Sequence, residues 1–232
     1  MLVKLKKIKA KVYYFFRENH ILNEFYVQFK KEKNYFFFLN INFLYEIYFF
    51  ITTKQKFHLV GSKFQKNTEY TANRCFPLRP VNQSLKYLNS HYLKYENMNF
   101  LDVGHGQGRL LYYLKKNIEL NSITGVEINH EYYLQSVKNN KEFKNINLVN
   151  TDFFEYDIPQ SMNVFFFFSP FRDQKMYLRL GEKLIKLKKN FFLIVPGRGK
   201  VTILKENFNE IKLIKVLKDN YYYIGIFKYE GK

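Results

Sequence analysis

Three glycines alternate with other residues in FLDVGHGQGRLLYYLKK, residues 100–116. The stretch follows a short apolar run and precedes a leucine-rich one. In that strand–turn–helix context a glycine turn brings a ligand close to the main chain. The spacing restricts the ligand. A dinucleotide fingerprint, G-x-G-x-x-G, needs glycine at 109, where the chain carries Arg109. A phosphate-binding loop needs G-x-x-x-x-G-K-S/T, which the stretch lacks. Gly104, Gly106 and Gly108 give G-x-G-x-G instead, with Asp102 two residues ahead. A carboxylate there repels a phosphate and suits an ammonium group or ordered water. A pyrophosphate cradle is disfavoured on both counts.

Other candidates recur where later apolar runs end. ITGVEI carries Glu127, 19 residues after Gly108, and then Ile128. LVNTDFF supplies Asp152 and Phe153, with Glu155 and Asp157 as nearby rivals. NVFFFF runs into Ser169-Pro170-Phe171. Each has a plainer alternative. Asp102 could cap the helix or the turn. Glu127 could be a solvated strand end, Asp152 a turn residue, and Ser169 to Phe171 a plain strand end. The FFFF run is core. His105 reads as a loop side chain. The five histidines show no metal-ligand spacing, and the single cysteine, Cys75, allows neither an internal disulfide nor a cysteine metal cluster. No metal site is expected.

Strands and helices must position these residues. PVNQSLKYLNSHYL suits a helix, with Leu85, Leu88 and Tyr92 at helical spacing. MNFLDV reads as a strand, and GRLLYYLKKNI as a helix with Leu110, Leu111, Leu114 and Ile118 inward. SITGVEI, INLVNTD, NVFFFFSPF and NFFLIVPG read as further strands, the last two buried on both faces. HEYYLQSVKNN and QKMYLRLGEKLIKLKK read as helices, the second with Tyr177, Leu180, Leu184 and Leu187 inward. IKLIKVL and YYYIGIFKY form a closing hairpin. Alternation implies an α/β fold with a parallel sheet covered by helices on both sides. The hairpin implies an antiparallel strand at or near the sheet edge. Ligands of such sheets lie beyond the carboxyl ends of the strands.

Asp102, Gly104, Gly106 and Gly108, read as D-x-G-x-G-x-G, resemble the first motif of class I S-adenosylmethionine-dependent methyltransferases. The resemblance covers about residues 80–229. It implies a three-layer Rossmann-like fold with a mostly parallel seven-stranded sheet and a C-terminal antiparallel hairpin. It also implies S-adenosyl-L-methionine as cofactor. Asp102 and the glycine turn, with His105 beside the methionine part, would seat the amino-acid moiety. Glu127, followed by Ile128, would hold the ribose, and Asp152, with Phe153 beside it, the adenine. Ser169, Pro170 and Phe171 align with the catalytic-face motif, which in relatives carries Asn or Asp, proline and an aromatic. The serine and single proline depart from that pattern, so nitrogen-directed transfer does not follow from it. FFFFSPF, the proline-bearing loop upstream and the helical N-terminus look most like small bacterial methyltransferases distantly similar to histone-lysine methyltransferases. Protein lysine, RNA and small molecules stay open as acceptors. A non-catalytic cofactor-binding or RNA-binding module on the same fold is the alternative.

The 232 residues suffice for one sizeable domain with an appendage, and an aromatic share of 20% fills a core readily. Residues 1–65 read as a basic, aromatic-rich helical extension, and 66–232 as the methyltransferase domain. The formal net charge of +18 suggests nucleic acid, an anionic membrane or another acidic partner. Enrichment in Lys, Asn, Ile, Phe and Tyr together fits compositional drift equally well. MLVKLKKIKAK lacks the cleavage pattern of a signal peptide. YFFFLNINFLYEIYFFI, residues 35–51, falls short of a membrane span of about 20 apolar residues and carries Asn40, Asn42 and Glu46. It reads as a buried or amphipathic helix, with a membrane-surface role the lesser reading. A reducing cytoplasm fits the cysteine usage.

Overall fold

The computed structural model describes residues 77–168, 170–171, 173–218 and 222–231. The N-terminal extension, Cys75 and Ser169 lie outside the described residues.

Seven strands form one sheet in the order β3-β2-β1-β4-β5-β7-β6. Strands β1 (Asn99–Val103), β2 (Ser122–Glu127), β3 (Ile146–Asn150), β4 (Val164–Phe167) and β5 (Phe191–Pro196) run parallel. The closing hairpin inserts its second strand, β7 (Tyr223–Tyr229), antiparallel to β5, leaving β6 (Ile211–Lys218) at the edge. The antiparallel strand is thus one in from the edge.

Strand burial follows composition. β4 (VFFF) and β5 (FFLIVP) are buried at every position, as apolar runs covered on both faces must be. At the edge, β6 exposes Lys212, Lys215 and Lys218, and its register shifts between Leu213 and Lys215. Lysines and a bulge keep such an edge from pairing with another chain.

Helix α1 (Leu78–His91) buries Leu85 and Leu88. Tyr92, expected on the same stripe, lies just past the helix end and is 42% exposed. Helix α2 (Arg109–Asn117) buries Leu111 and Leu114, while Leu110 is half-buried. Helix α3 (His130–Asn139) is N-capped by Asn129, whose side chain accepts from the Tyr132 amide. Helix α4 (Gln174–Ile185) buries Tyr177, Leu180 and Leu184, and α5 (Arg198–Asn207) buries Val201 and Leu204. These residues pack with Val103, Phe165, Phe167, Leu193 and Val195 of the sheet. Their spacing of three and four residues is the amphipathic stripe read in α4.

The connection from β3 to β4, residues 151–163, holds no helix or strand. Phe153, Ile158 and Met162 from it enter the same core, doing the packing of a crossover helix. A packed segment without its own ladder must find partners for its carbonyls elsewhere. Lys183 Nζ, from α4, donates to the Phe154 and Tyr156 carbonyls, both at 2.9 Å. Lys189 Nζ donates to the Pro159 carbonyl at 2.8 Å and the Gln160 carbonyl at 3.0 Å. The Arg179 guanidinium lies 4.4 Å from the centre of the Phe154 ring.

Candidate functional site

The carboxyl ends of β1 and β2 and the turn between β1 and α2 bring most of the expected residues together. Gly104, Gly106 and Gly108 have φ of +73°, +56° and +76°. That region of backbone space favours glycine, so alternation is a conformational requirement of the turn. The Gly104 amide donates to the Val126 carbonyl at 2.8 Å, tying the start of the turn to β2. The Gly108 amide donates to the His105 carbonyl at 3.0 Å and closes it. A side chain on Gly108 would begin 2.2 Å from Ser136 Oγ and 2.4 Å from Asn140 Nδ2. The turn is therefore pressed directly against α3.

Two carboxylates are buried at this edge. Glu127 Oε2 accepts from the Gly106 amide at 2.9 Å, and Oε1 from the Asn129 amide at 2.8 Å. Burial raises its pKa, and these backbone amides, with that of Ile128, oppose the rise. Asp102 is 4% exposed. Burial, and then the charge of Glu127, push it up to about 8. A buried carboxylate so placed is strongly favoured by an arriving cation.

His105 is turned away from the open side of the turn. Its ring lies over β2, with Cδ2 2.5 Å from where a side chain on Gly125 would begin. Gly125 makes the room. Nδ1 donates to the Gly106 carbonyl at 2.9 Å, which leaves Nε2 a buried acceptor with no partner among the described residues. Burial lowers its pKa to about 4, so the ring is neutral.

Ile128 stands 41% exposed beyond the end of β2. Asp152 is half-buried, and its Oδ1 accepts from the Phe154 amide at 2.9 Å, the turn-forming bond weighed from the sequence. Phe153 points into the core, edge-on to Phe167 with ring centres 5.3 Å apart. Phe171 is likewise core, 3% exposed and edge-on to Tyr177 at 5.6 Å. Pro170 comes to the glycine turn: its Cβ lies 3.1 Å from where a side chain on Gly104 would begin. The end of β4 and the turn after β1 therefore meet. Of the aromatics beside Pro170, Phe168 is the half-buried one.

Several supports were not legible in the sequence. Asn139 Nδ2 donates to the Gln107 carbonyl at 3.0 Å, and Asn140 Nδ2 to the Gly108 carbonyl at 3.2 Å, so the end of α3 holds the turn. Asn150 Nδ2 donates to the Glu127 carbonyl at 2.7 Å. These partners depend on how α3 and β3 pack, and no local spacing marks them. Among the described residues no group of three His, Cys, Asp or Glu lies together as a metal site. No described helix is long and apolar enough to cross a membrane.

No family model matches the sequence, and no curated protein matches it. Solved structures do match in fold. A putative RNA methyltransferase from Pyrococcus horikoshii aligns with a TM-score of 0.57 at 14% identity, over 83% of this chain and 98% of its own. An RNA methyltransferase from Salinibacter ruber, in complex with S-adenosyl-L-homocysteine, aligns with a TM-score of 0.53 at 15% identity, over 68% and 95%. The N-methyltransferase NodS from Bradyrhizobium japonicum aligns with a TM-score of 0.52 at 12% identity, over 66% and 96%. The chain has the class I S-adenosylmethionine-dependent methyltransferase fold, a mixed seven-stranded sheet with helices on it.

Proposed function

We propose that the chain is an S-adenosylmethionine-dependent methyltransferase. The observation that carries this reading is the buried pair Asp102 and Glu127 flanking a glycine turn, with the Gly106 amide already on Glu127. The residues fit the cofactor. A buried, high-pKa carboxylate at Asp102 suits an ammonium or sulfonium charge, and Glu127 keeps lone pairs for ribose hydroxyls. Gly104, Gly106 and Gly108 let the amino-acid part approach the backbone. His105 contributes through its main chain, since its ring is buried below. Exposed Ile128 offers an apolar surface to the adenine, and Asp152 an acceptor for its amine. Phe153 acts from the core, by fixing the loop that carries Asp152.

The bound cofactor supplies an already activated methyl group. The protein's task is to hold an acceptor in line with it at near-attack distance, and a dedicated base is not required. The Ser169 to Phe171 segment meets the glycine turn through Pro170 and would border the acceptor. Phe171 does so as a packing residue. The ring that relatives stack on a target amine is in the core, so the acceptor chemistry need not be amine transfer. One fold neighbour described as an RNA methyltransferase and another described as a putative one support RNA as one acceptor class, beside protein lysine and small molecules.

Thermal unfolding with and without S-adenosylmethionine tests the cofactor. Ligand at a hundred times its dissociation constant is expected to stabilise the protein by about 2.7 kcal/mol. No shift in the wild type, or an equal shift in Glu127→Ala, would remove the proposal. Incubation of labelled cofactor with cell extract separates enzyme from binder. Label in the protein, RNA or small-molecule fraction supports transfer, and label in none supports a non-catalytic binding module.

A further inference from the structure

Drift and an acidic partner both account for the lysine excess, and the placement of the charges separates them. Drift scatters lysine over every surface. From Gln174 to Asn207, the stretch forming α4, β5 and α5, the chain carries nine Lys or Arg residues and two acids, Glu182 and Glu206. From Arg109 to Lys144, the stretch of α2 and α3, six cations are interspersed with four acids. Two cations of the α4–α5 layer, Lys183 and Lys189, are engaged with loop carbonyls. Lys175, Arg179, Lys186, Lys188, Arg198 and Lys205 are exposed, and none forms an ion pair with a described carboxylate. Lys175 and Arg179 on α4 and Lys186 at its C-cap fall within about 40° of one another, spaced about 6 and 10 Å along the axis, with Glu182 in the same stripe. A face with so large an excess of positive charge repels itself until a polyanion covers it.

Planar rings lie where this layer meets the carboxyl rim of the sheet. Phe168 and Tyr223 are half-buried. The Lys200 ammonium is 6.0 Å from the Phe168 ring centre, and the Arg198 guanidinium 5.4 Å from that of Tyr223. Cations leading to stacking surfaces are the chemistry of single-stranded nucleic acid, whose phosphates and bases use both. An acidic protein would use the charges alone. A lipid surface would need apolar anchors, yet among the described residues the exposed large hydrophobics, Tyr92, Ile128, Leu134 and Val137, all lie outside α4 and α5.

We propose that the α4–α5 layer is a docking surface for single-stranded nucleic acid, running to the rim where Pro170 meets Gly104. That the docked strand is also the methyl acceptor rests on the proposed function; the surface itself does not.

The test uses the full chain and a mixed-sequence single-stranded RNA, with binding followed by fluorescence anisotropy across about 50–200 mM salt. The triple variant Lys175→Glu, Arg179→Glu, Arg198→Glu is expected to bind at least about tenfold more weakly. Its salt slope should be shallower by about 2, at roughly 0.7 per phosphate contact. A control triple of equal charge change, Lys138→Glu, Lys212→Glu, Lys215→Glu, is expected to lose far less, and Glu182→Gln to bind more tightly. Equal losses in the two triples, or no loss in the first, would overturn the proposal. So would wild-type binding to polyglutamate or anionic vesicles as tight as to RNA. Thermal unfolding without ligand, measured on each variant, reports folding, and the cofactor-dependent shift is read beside it. Absence of that shift in the wild type would defeat the methyltransferase reading while the RNA comparison still decides the surface.

Discussion

The Gly106 amide donates a 2.9 Å hydrogen bond to Glu127 Oε2, tying the glycine turn after β1 to the carboxylate that ends β2. The Asn129 amide holds the other carboxylate oxygen at 2.8 Å, so Glu127 is oriented before a ligand arrives. Glu127→Ala is expected to free the Gly106 amide and abolish the cofactor-dependent thermal shift. Glu127→Gln keeps one acceptor oxygen and should retain part of that shift. Hydrogen exchange at residues 104–108 reports the turn directly, and unchanged protection in Glu127→Ala would contradict the coupling.

Asp102 gives the stability a pH signature. Its folded pKa is about 8, whereas an unfolded aspartate titrates near ~3.9. The folded state therefore holds a proton that the unfolded chain releases. Stability from this group is fully present below about pH 4 and is lost as pH rises toward 8. Asp102→Asn should flatten that decline and raise the unfolding midpoint near pH 8. Cofactor affinity should move oppositely. A cationic ligand favours the ionised carboxylate, so binding strengthens as pH rises and levels off above about 8. Denaturant unfolding and calorimetric titration at stepped pH check both; identical wild-type and Asp102→Asn profiles would refute the assignment.

Gly108→Ala tests the packing of the turn on α3. The new Cβ would meet Ser136 Oγ at 2.2 Å and Asn140 Nδ2 at 2.4 Å, at a φ of +76°. The backbone alone costs about 1–2 kcal/mol, and the overlap adds to it. Urea unfolding should show a loss above that range, with Ser136→Ala in the same chain recovering only part because Asn140 remains. A loss under 1 kcal/mol, about the strain of the φ angle or less, would mean the helix moves aside freely.

Lys183 tests the clasp on the β3–β4 connection. Lys183→Met removes two hydrogen bonds from a charged donor and should cost about 1.5–3 kcal/mol. Because the clasped loop carries Asp152, cofactor affinity should fall as well, with turnover at saturating cofactor little changed. Lys183→Arg should restore much of both. Weakened stability with unchanged cofactor affinity would separate the clasp from the site.

The expected site was legible wherever function depends on local spacing. Asp102 and the three glycines sit within seven residues, and Glu127 ends the next strand. One strand–turn–helix–strand unit carries them all, so the sequence alone placed them at one sheet edge. Side-chain direction was a different matter. Phe153 and Phe171 stand next to Asp152 and Pro170 in sequence, yet both face the core. A residue leaving a strand end points to ligand or to core according to what packs beneath it.

By itself, then, the sequence determined the alternating α/β fold, the strand ends and the glycine turn, because each follows from periodicity or from a requirement on φ; Asp102 and Glu127 it marked through a family resemblance. Tertiary packing decided the rest. Hydrophobic collapse turned a helix-free crossover into core, and its carbonyls drew Lys183 from α4 and Lys189 from the loop after it. The same packing put the His105 ring under the turn over Gly125 and set Pro170 against Gly104. Such contacts arise between segments far apart in the chain, where no spacing rule operates.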